Sequence, residues 1–112
     1  MKEVYIERCV LASLNHPSII KLHCSFKHLR KFYLLLEYCP RGSLQEFQKK
    51  VGCFSEETAC HVTAEILQAL QYLREKRILH RDLKLGNIVL DRDFHAKLID
   101  FGTCKVLNNP EI

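Results

Sequence analysis

The stretch His80-Arg81-Asp82-Leu83-Lys84-Leu85-Gly86-Asn87 combines acidic, basic and amide side chains within a short span. A second polar motif, Asp100-Phe101-Gly102, begins thirteen residues after Asn87. Between the two motifs, the short apolar runs 88–90 and 96–99 flank a polar turn at 91–93. Apolar runs around such a turn predict a β-hairpin, so the two motifs are expected at its open end.

The hairpin makes a specific prediction about Asn87 and Asp100. Paired residues of antiparallel strands have numbers of constant sum, so a turn centred near Asp93 and Phe94 would set Asn87 opposite Asp100. The spacing therefore predicts that the oxygen-bearing side chains of Asn87 and Asp100 lie together at this end of the hairpin.

The residues before these motifs predict helices and a second hairpin. Apolar residues recur at helical spacing over 2–14. This helix is expected to stop before Pro17, because the residue preceding a proline is driven out of the helical region. The apolar runs 19–26 and 32–38 predict two strands joined by a longer basic loop.

Two more helices are predicted before the His80 motif. Residues 43–50 predict a short helix, and a longer one begins after Ser55, which is a good N-cap. Glu56 and Glu57 suit the positive end of its dipole, and apolar residues recur at helical spacing as far as Leu73. With strands on both sides of these helices, the predicted class is α+β.

The composition excludes several classes of protein. Of the 112 residues, 47% are hydrophobic and 27% are charged, which is ordinary for a soluble globular chain. The chain has no run of about 18 apolar residues that would predict a transmembrane segment, and residues 1–5 lack the apolar core of a secretory signal. We therefore expect a cytoplasmic protein, with a nuclear location as the alternative. The net charge of +4 is modest and the basic runs are short, so nucleic-acid binding is not expected.

The six cysteines do not form a recognisable framework. None belongs to a C-x-x-C pair, and no His-x-x-x-His motif accompanies them, so a zinc site of that kind is not predicted. Without a secretory signal, disulfides are not expected either. Free and mostly buried thiols are the prediction.

Together, the two polar motifs match the pattern H-R-D-x-K-x-x-N followed by D-F-G, and they resemble the catalytic signature of the protein kinases. The resemblance implies an α+β, partial bilobal kinase fold. Residues 1–38 would supply the C helix and the fourth and fifth strands of the small lobe. Residues 39–42 would form the hinge. Residues 43–112 would supply the D and E helices, the catalytic loop and the hairpin of the seventh and eighth strands of the large lobe.

The resemblance also implies roles for individual residues. Asp82 is similar to the catalytic aspartate that orients the substrate hydroxyl and accepts its proton. Lys84 is similar to the lysine that steadies the transferring phosphate, and it favours a serine/threonine over a tyrosine kinase. Asn87 and Asp100 resemble the ligands of Mg2+, and Gly102 resembles the flexible residue that follows. Outside the motif, Asp82 would be interpreted as an ordinary surface-turn carboxylate.

ATP is the cofactor that the resemblance implies, and a protein serine or threonine is the substrate. Leu36 would be the gatekeeper, and the Glu37 carbonyl and Cys39 amide would face adenine. Val89 would be the apolar floor under the base, and Ser43 occupies a place where many relatives hold a ribose-contacting glutamate.

Other residues resemble structural and regulatory positions. Glu7 would pair with a lysine on an upstream strand, although by itself it is typical of a solvated helix. A stack of four side chains would link the two lobes, and its members are otherwise ordinary core residues: Leu11, Leu22, His80 and Phe101. The subfamily features are mixed, since the segment 100–105 resembles the AGC group, especially phosphoinositide-dependent kinases, and the segment 80–87 resembles polo-like kinases.

The sequence contains neither a G-x-G-x-x-G loop nor a V-A-I-K strand, and only ten residues follow Gly102. An incomplete piece of an active kinase is therefore the first expectation, marginally folded and without ATP turnover of its own. A short, non-catalytic, pseudokinase-like interaction module is the alternative.

Overall fold

The computed structural model describes residues 2–107, with the side chain of residue 2 excluded. It confirms the predicted α+β class. In chain order the elements are α1 (Lys2–Ser13), β1 (Leu22–His28), β2 (Lys31–Leu36), α2 (Leu44–Val51), α3 (Glu56–Glu75), β3 (Ile78–Leu79), a 3-10 turn (Leu85–Asn87), β4 (Ile88–Leu90), β5 (Ala96–Leu98) and β6 (Lys105–Val106). The strands of the described residues form three two-stranded antiparallel sheets, β1–β2, β3–β6 and β4–β5.

The β1–β2 hairpin is tighter than predicted. The strands continue through the basic residues as far as the pair His28–Lys31, so the expectation of a longer loop was wrong. Leu29 and Arg30 close the turn, both with positive φ of 48° and 66°, the region that two-residue hairpin turns use. Charged side chains fit these ends because both strands expose most of their residues to solvent.

Ile19 and Ile20 were predicted in the first strand, but they precede it. Both are buried, and Ile19 makes an isolated parallel bridge to Leu98. The Ile20 amide donates to the Leu98 carbonyl at 3.1 Å, and the Leu98 amide donates to the Ser18 carbonyl at 2.8 Å. These bonds join the segment after α1 to the β4–β5 hairpin.

The β4–β5 hairpin forms as predicted, but its register differs by one residue. The pairs are Ile88–Leu98, Val89–Lys97 and Leu90–Ala96. Asn87 therefore lies opposite Ile99, whose amide donates to the Asn87 carbonyl at 2.9 Å, and Asp100 lies one residue further along. The cause is the turn: the Asp91 carboxylate accepts from the amides of Asp93 at 2.9 Å and His95 at 2.8 Å, which centres the turn on Asp93.

The helix ends follow the capping rules. Ser55 caps α3 by accepting from the Thr58 amide at 3.1 Å, as predicted. Ser43 caps α2 in a capping box, in which its hydroxyl accepts from the Glu46 amide and the Glu46 carboxylate accepts from the Ser43 amide. Two orphan donors of the first turn are thus satisfied reciprocally.

Replacing Ser43 with alanine is expected to lower the free energy of unfolding by about 1 kcal/mol. The substitution removes the hydroxyl that accepts from the Glu46 amide, so the capping box is lost. Urea unfolding of the 112-residue chain followed by circular dichroism measures the change. Ser25→Ala is the comparison, since that serine lies in β1, caps no helix and loses only an exposed bond from Arg8. A Ser43→Ala chain as stable as the parent would contradict the interpretation of Ser43 as a cap.

The core joins α1, α3 and the β4–β5 hairpin. Helix α3 buries one stripe, consisting of Val62, Ile66, Ala69 and Leu73. This stripe and the hairpin share a single cluster with the end of α1, and its most buried members include Leu11, Leu44, Leu90, Leu98 and Phe101. The hairpin that precedes the second polar motif therefore packs against α2 and α3.

Cysteine burial differs from the prediction. All six thiols are free, as expected, but only Cys104 is buried and Cys39 is half-buried. The other four are exposed, because they occupy outward positions on helices, strands and loops: Cys9, Cys24, Cys53 and Cys60. Between residues 2 and 107, no helix has both the length and the apolar character that a membrane crossing requires.

Candidate active site

His80 ties the first polar motif to the end of the hairpin. Its ring is buried, its Nδ1 accepts from the Asp82 amide at 3.1 Å, and its Nε2 lies 2.8 Å from the Ile99 carbonyl. Because a carbonyl only accepts, Nε2 carries the ring proton and donates it. The ring also meets Phe101 edge-on, with 5.0 Å between centroids. The prediction that His80 is a packing residue of the core agrees with this buried environment.

Asp82 and Asn87 are in direct contact. The Asn87 amide nitrogen donates to the Asp82 carbonyl at 2.9 Å and to the Asp82 carboxylate at 3.1 Å. Lys84 Nζ lies 3.8 Å from the same carboxylate, at a solvent-exposed position. Three polar residues that the sequence singled out thus share one cluster, in which Asn87 is buried and Asp82 is partly open to solvent.

Asp100 begins the second motif in a left-handed conformation, with φ of 62°. Its side-chain oxygen accepts weakly from the Gly102 amide at 3.4 Å. A Cβ added to Gly102 would lie 3.5 Å from Asp100 Oδ1 and 3.7 Å from Glu7 Oε2, which are ordinary contacts. Glycine is therefore not required for space at 102, and its expected flexibility stays a prediction.

Glu7 lies next to this motif, on α1. Burial raises the pKa of the Glu7 carboxyl, the nearby Asp100 carboxylate raises it further, and the amides of Phe101 and Gly102 lower it. Within residues 2–107, Glu7 forms no ion pair. Two carboxylates close together in a partly buried place favour a cation between or beside them.

The segment after β2 is held by a polar contact that the sequence did not predict. The Glu37 amide donates to the Lys21 carbonyl at 2.8 Å, and the Glu37 carboxylate accepts from the Lys21 amide at 3.2 Å. Its other oxygen pairs with Lys97 Nζ at 3.1 Å, and the Lys97 side chain is only 12% exposed. This ion pair links the end of β2 to β5.

The residues predicted around adenine lie on β2, on β4 and in the segment between β2 and α2. Leu36 and Val89 are half-buried, and Val89 makes an isolated bridge to Ser43. In the described part of the chain, the Glu37 carbonyl and the Cys39 amide take no part in a hydrogen bond. Burial raises the pKa of the Cys39 thiol, and the charge of Glu37 raises it further, so the thiol form predominates. A free acceptor and a free donor two residues apart suit the edge of a flat heterocycle.

The protein kinase domain profile matches residues 1–112. The chain belongs to the protein kinase family. The 3-phosphoinositide-dependent protein kinase B of Dictyostelium discoideum is 48% identical over 107 residues, which cover 96% of this chain and 12% of the relative. The human 3-phosphoinositide-dependent protein kinase 1 is 45% identical over 102 residues, which cover 91% of this chain and 18% of the relative.

A yeast kinase is also similar to most of this chain. The serine/threonine-protein kinase PKH2 of Saccharomyces cerevisiae is 42% identical over 109 residues, which cover 96% of this chain and 10% of the relative. The chain thus spans less than a fifth of the length of each of these three kinases. Two of these relatives are named 3-phosphoinositide-dependent protein kinases, and the third is named a serine/threonine-protein kinase.

The donor set of this kinase chain fits a magnesium ion. The Asn87 amide nitrogen is engaged by two acceptors of Asp82, which leaves its amide oxygen without a donor among residues 2–107. The Asp100 carboxylate is exposed and receives only the long bond from Gly102. An amide oxygen and a carboxylate are among the ligand types that Mg2+ takes in phosphoryl-transfer sites.

Two polar residues of the kinase site were missed at the sequence level. Arg81 has φ of 72°, and its Nε donates to the Thr103 carbonyl at 2.7 Å, so it ties the catalytic loop to the segment after Gly102. Its place inside the motif was the available signal. Lys97 was passed over as part of an apolar strand, although a lysine between buried Ala96 and Leu98 must face the opposite side.

Proposed function

We propose that residues 2–107 supply the catalytic loop, the magnesium ligands and the adenine-binding edge of a serine/threonine protein kinase, which transfers the γ-phosphate of ATP to a protein hydroxyl. The observation that carries the proposal is the contact of Asp82 with Asn87 and Lys84 in one partly open cluster. Phosphoryl transfer depends on positioning and charge neutralisation rather than on covalent chemistry by the protein.

Each residue of the cluster has a distinct task in this mechanism. The Asp82 carboxylate orients the substrate hydroxyl and accepts its proton. Asn87 fixes that carboxylate through its amide nitrogen and offers its amide oxygen to the metal, together with Asp100. Lys84 lies 3.8 Å from Asp82 and, at 62% exposure, is free to reach a transferring phosphate. A magnesium ion held by Asn87 and Asp100 would supply positive charge to the phosphates.

Glu7 fits the same proposal. Its carboxyl has a raised pKa because it is partly buried beside Asp100. A lysine from a strand outside residues 2–107 would pair with Glu7 and lower that pKa again, since an opposite charge favours the ionised carboxyl. A complete small lobe would thus supply a positive charge beside the neighbouring carboxylates of Glu7 and Asp100. The unfavourable carboxylate pair would then become an ion pair at the nucleotide site.

The proposal predicts that the 112-residue chain alone transfers no phosphate from radiolabelled ATP to a protein substrate. Nothing in its sequence matches the glycine-rich loop or the lysine strand that hold the ATP phosphates. The same residues should support phosphate transfer when they are part of a complete kinase domain. A graft in which they replace the 102 matched residues of human 3-phosphoinositide-dependent protein kinase 1 tests this directly.

We expect the graft to keep kcat within about tenfold of its host, a difference of about 1.4 kcal/mol in activation free energy. Circular dichroism and thermal unfolding of graft and host establish that both are folded. A folded graft without phosphotransfer would contradict the proposal and would favour the non-catalytic module.

A further inference from the structure

A cluster of two histidines and a glutamate lies where α3 meets the turn of the β4–β5 hairpin. His61 and Glu65 are one helical turn apart on α3, so their side chains share a face of the helix. His95 follows the hairpin turn and approaches from the other side. One ligating atom from each of the three residues lies within 4.8 Å of the others.

Short polar contacts already draw the three groups together. His95 Nδ1 lies 2.8 Å from one Glu65 carboxylate oxygen, and His61 Nε2 lies 3.1 Å from the other. The backbone carbonyl of Phe94 lies 2.9 Å from His61 Nε2. The Glu65 side chain is 19% exposed and also accepts from the Ala96 amide at 2.9 Å, which fixes its position.

We propose that His61, Glu65 and His95 form a surface binding site for a divalent transition metal ion, with Zn2+ as the best-fitting species. Two imidazoles and one carboxylate are a frequent three-residue ligand set for zinc, which leaves a fourth position for water. The nitrogen-rich set disfavours Mg2+ and Ca2+, which take oxygen ligands. This site does not depend on the proposed catalytic function.

The distances require little movement to accept an ion. Zinc bonds of about 2.0–2.2 Å in tetrahedral geometry set neighbouring ligand atoms about 3.3–3.6 Å apart. The observed contacts of 2.8 and 3.1 Å are shorter, as hydrogen bonds are, and the widest separation reaches at most 4.8 Å. Small rotations of the exposed histidine rings would even out these separations, while the Ala96 amide holds Glu65 in place. Binding would release the protons that His61 Nε2 and His95 Nδ1 now donate to Phe94 and Glu65.

The local charges favour a cation on balance. Besides Glu65, the carboxylates of Asp91 and Asp93 act electrostatically on His95. Arg41 opposes them, since its guanidinium lies 5.7 Å from the centre of the Phe94 ring. Since Arg92 lies between the two aspartates, three carboxylates are balanced by two guanidinium groups, which leaves an excess of one negative charge near the cluster.

The competing explanation is purely structural, because Glu65 already joins α3 to the hairpin through His95 and Ala96. The two explanations predict different results when His61 is replaced. Its ring is an exposed addition to that bond network, so its replacement leaves the bonds of Glu65 to His95 and Ala96 intact and removes one metal ligand.

The test is titration of the reduced, intact 112-residue chain with Zn2+ alone by isothermal calorimetry. We expect one equivalent to bind, and His61→Gln and His95→Gln each to weaken binding at least about 10–100-fold, the range that even the loss of an outer-shell partner produces. His23→Gln is the matched control, since His23 is an exposed histidine on β1 and should leave the affinity unchanged.

Titration with Co2+ in place of Zn2+ shows whether the exposed thiols bind the ion instead. Cobalt bound by thiolates would produce an intense sulfur-to-cobalt charge-transfer band. Its absence, with histidine ring signals shifting in the NMR spectrum for His61 and His95, would support the site. No stoichiometric binding, a thiolate band, or equal affinity in the His61→Gln, His95→Gln and His23→Gln chains would each overturn it.

Discussion

Asp82→Asn in the graft is expected to lower kcat by about 10²–10⁴-fold, the usual contribution of a positioned general base. Asparagine keeps an oxygen that can accept from the Asn87 amide nitrogen, so the loop geometry is retained. It loses the negative charge that pairs with Lys84 and the ability to take the hydroxyl proton. KM for ATP should change little, because Asp82 is not among the nucleotide ligands.

Steady-state kinetics on a peptide substrate measures both parameters. Asp93→Asn is the matched control, since it makes the same chemical change at the exposed tip of the β4–β5 turn. An Asp82→Asn graft with the kcat of the Asp93→Asn graft would exclude Asp82 as the base. A large rise in KM with unchanged kcat would instead assign Asp82 to binding.

The sequence predicted the helices and the second hairpin well because each carries strong local signals. Ser55 caps α3, and the buried stripe of that helix follows the apolar spacing, which is set by residues close together in the chain. The class and the family followed from two motifs at a fixed spacing. The kinase motifs are specific because the catalytic residues that they contain must lie close together in the folded protein.

The errors came from one side-chain bond within a turn and from packing between distant segments. The register of β4–β5 depends on the Asp91 carboxylate binding two amides of its own turn, which shifted the partner of Asn87 from Asp100 to Ile99. Ile19 and Ile20 have the composition of a strand but pack against Leu98 instead. A side-chain bond within the turn decided the first case, and a tertiary contact decided the second.

The candidate site was predictable in its residues but not in all of its connections. The motif pointed to Asp82, Lys84 and Asn87, and they lie together. The contact of Glu37 with Lys97 joins segments 60 positions apart, and only the fold brings them into contact. The roles assigned at the hinge and at the metal ligands stay predictions until the graft is assayed.

Phe101→Ala is expected to lower the free energy of unfolding of the 112-residue chain by about 3–5 kcal/mol. The Phe101 side chain is fully buried, and its ring packs edge-on against His80. Truncation removes the apolar contacts and leaves a cavity beside the ring that holds the catalytic loop to the Ile99 carbonyl. Because small domains have a net stability of only about 5–15 kcal/mol, the loss should remove most of the cooperative urea transition.

Tyr38→Ala is the control, since it also deletes an aromatic ring but at a site that is 81% exposed. It should change the stability by no more than about 0.5 kcal/mol. Urea unfolding followed by circular dichroism compares both chains with the parent. Equal midpoints for Phe101→Ala and Tyr38→Ala would mean that Phe101 is not packed in solution. In that case the catalytic loop and the Asp100 motif would have no common support, and the cluster of Asp82 and Asn87 would need the rest of a kinase domain to form.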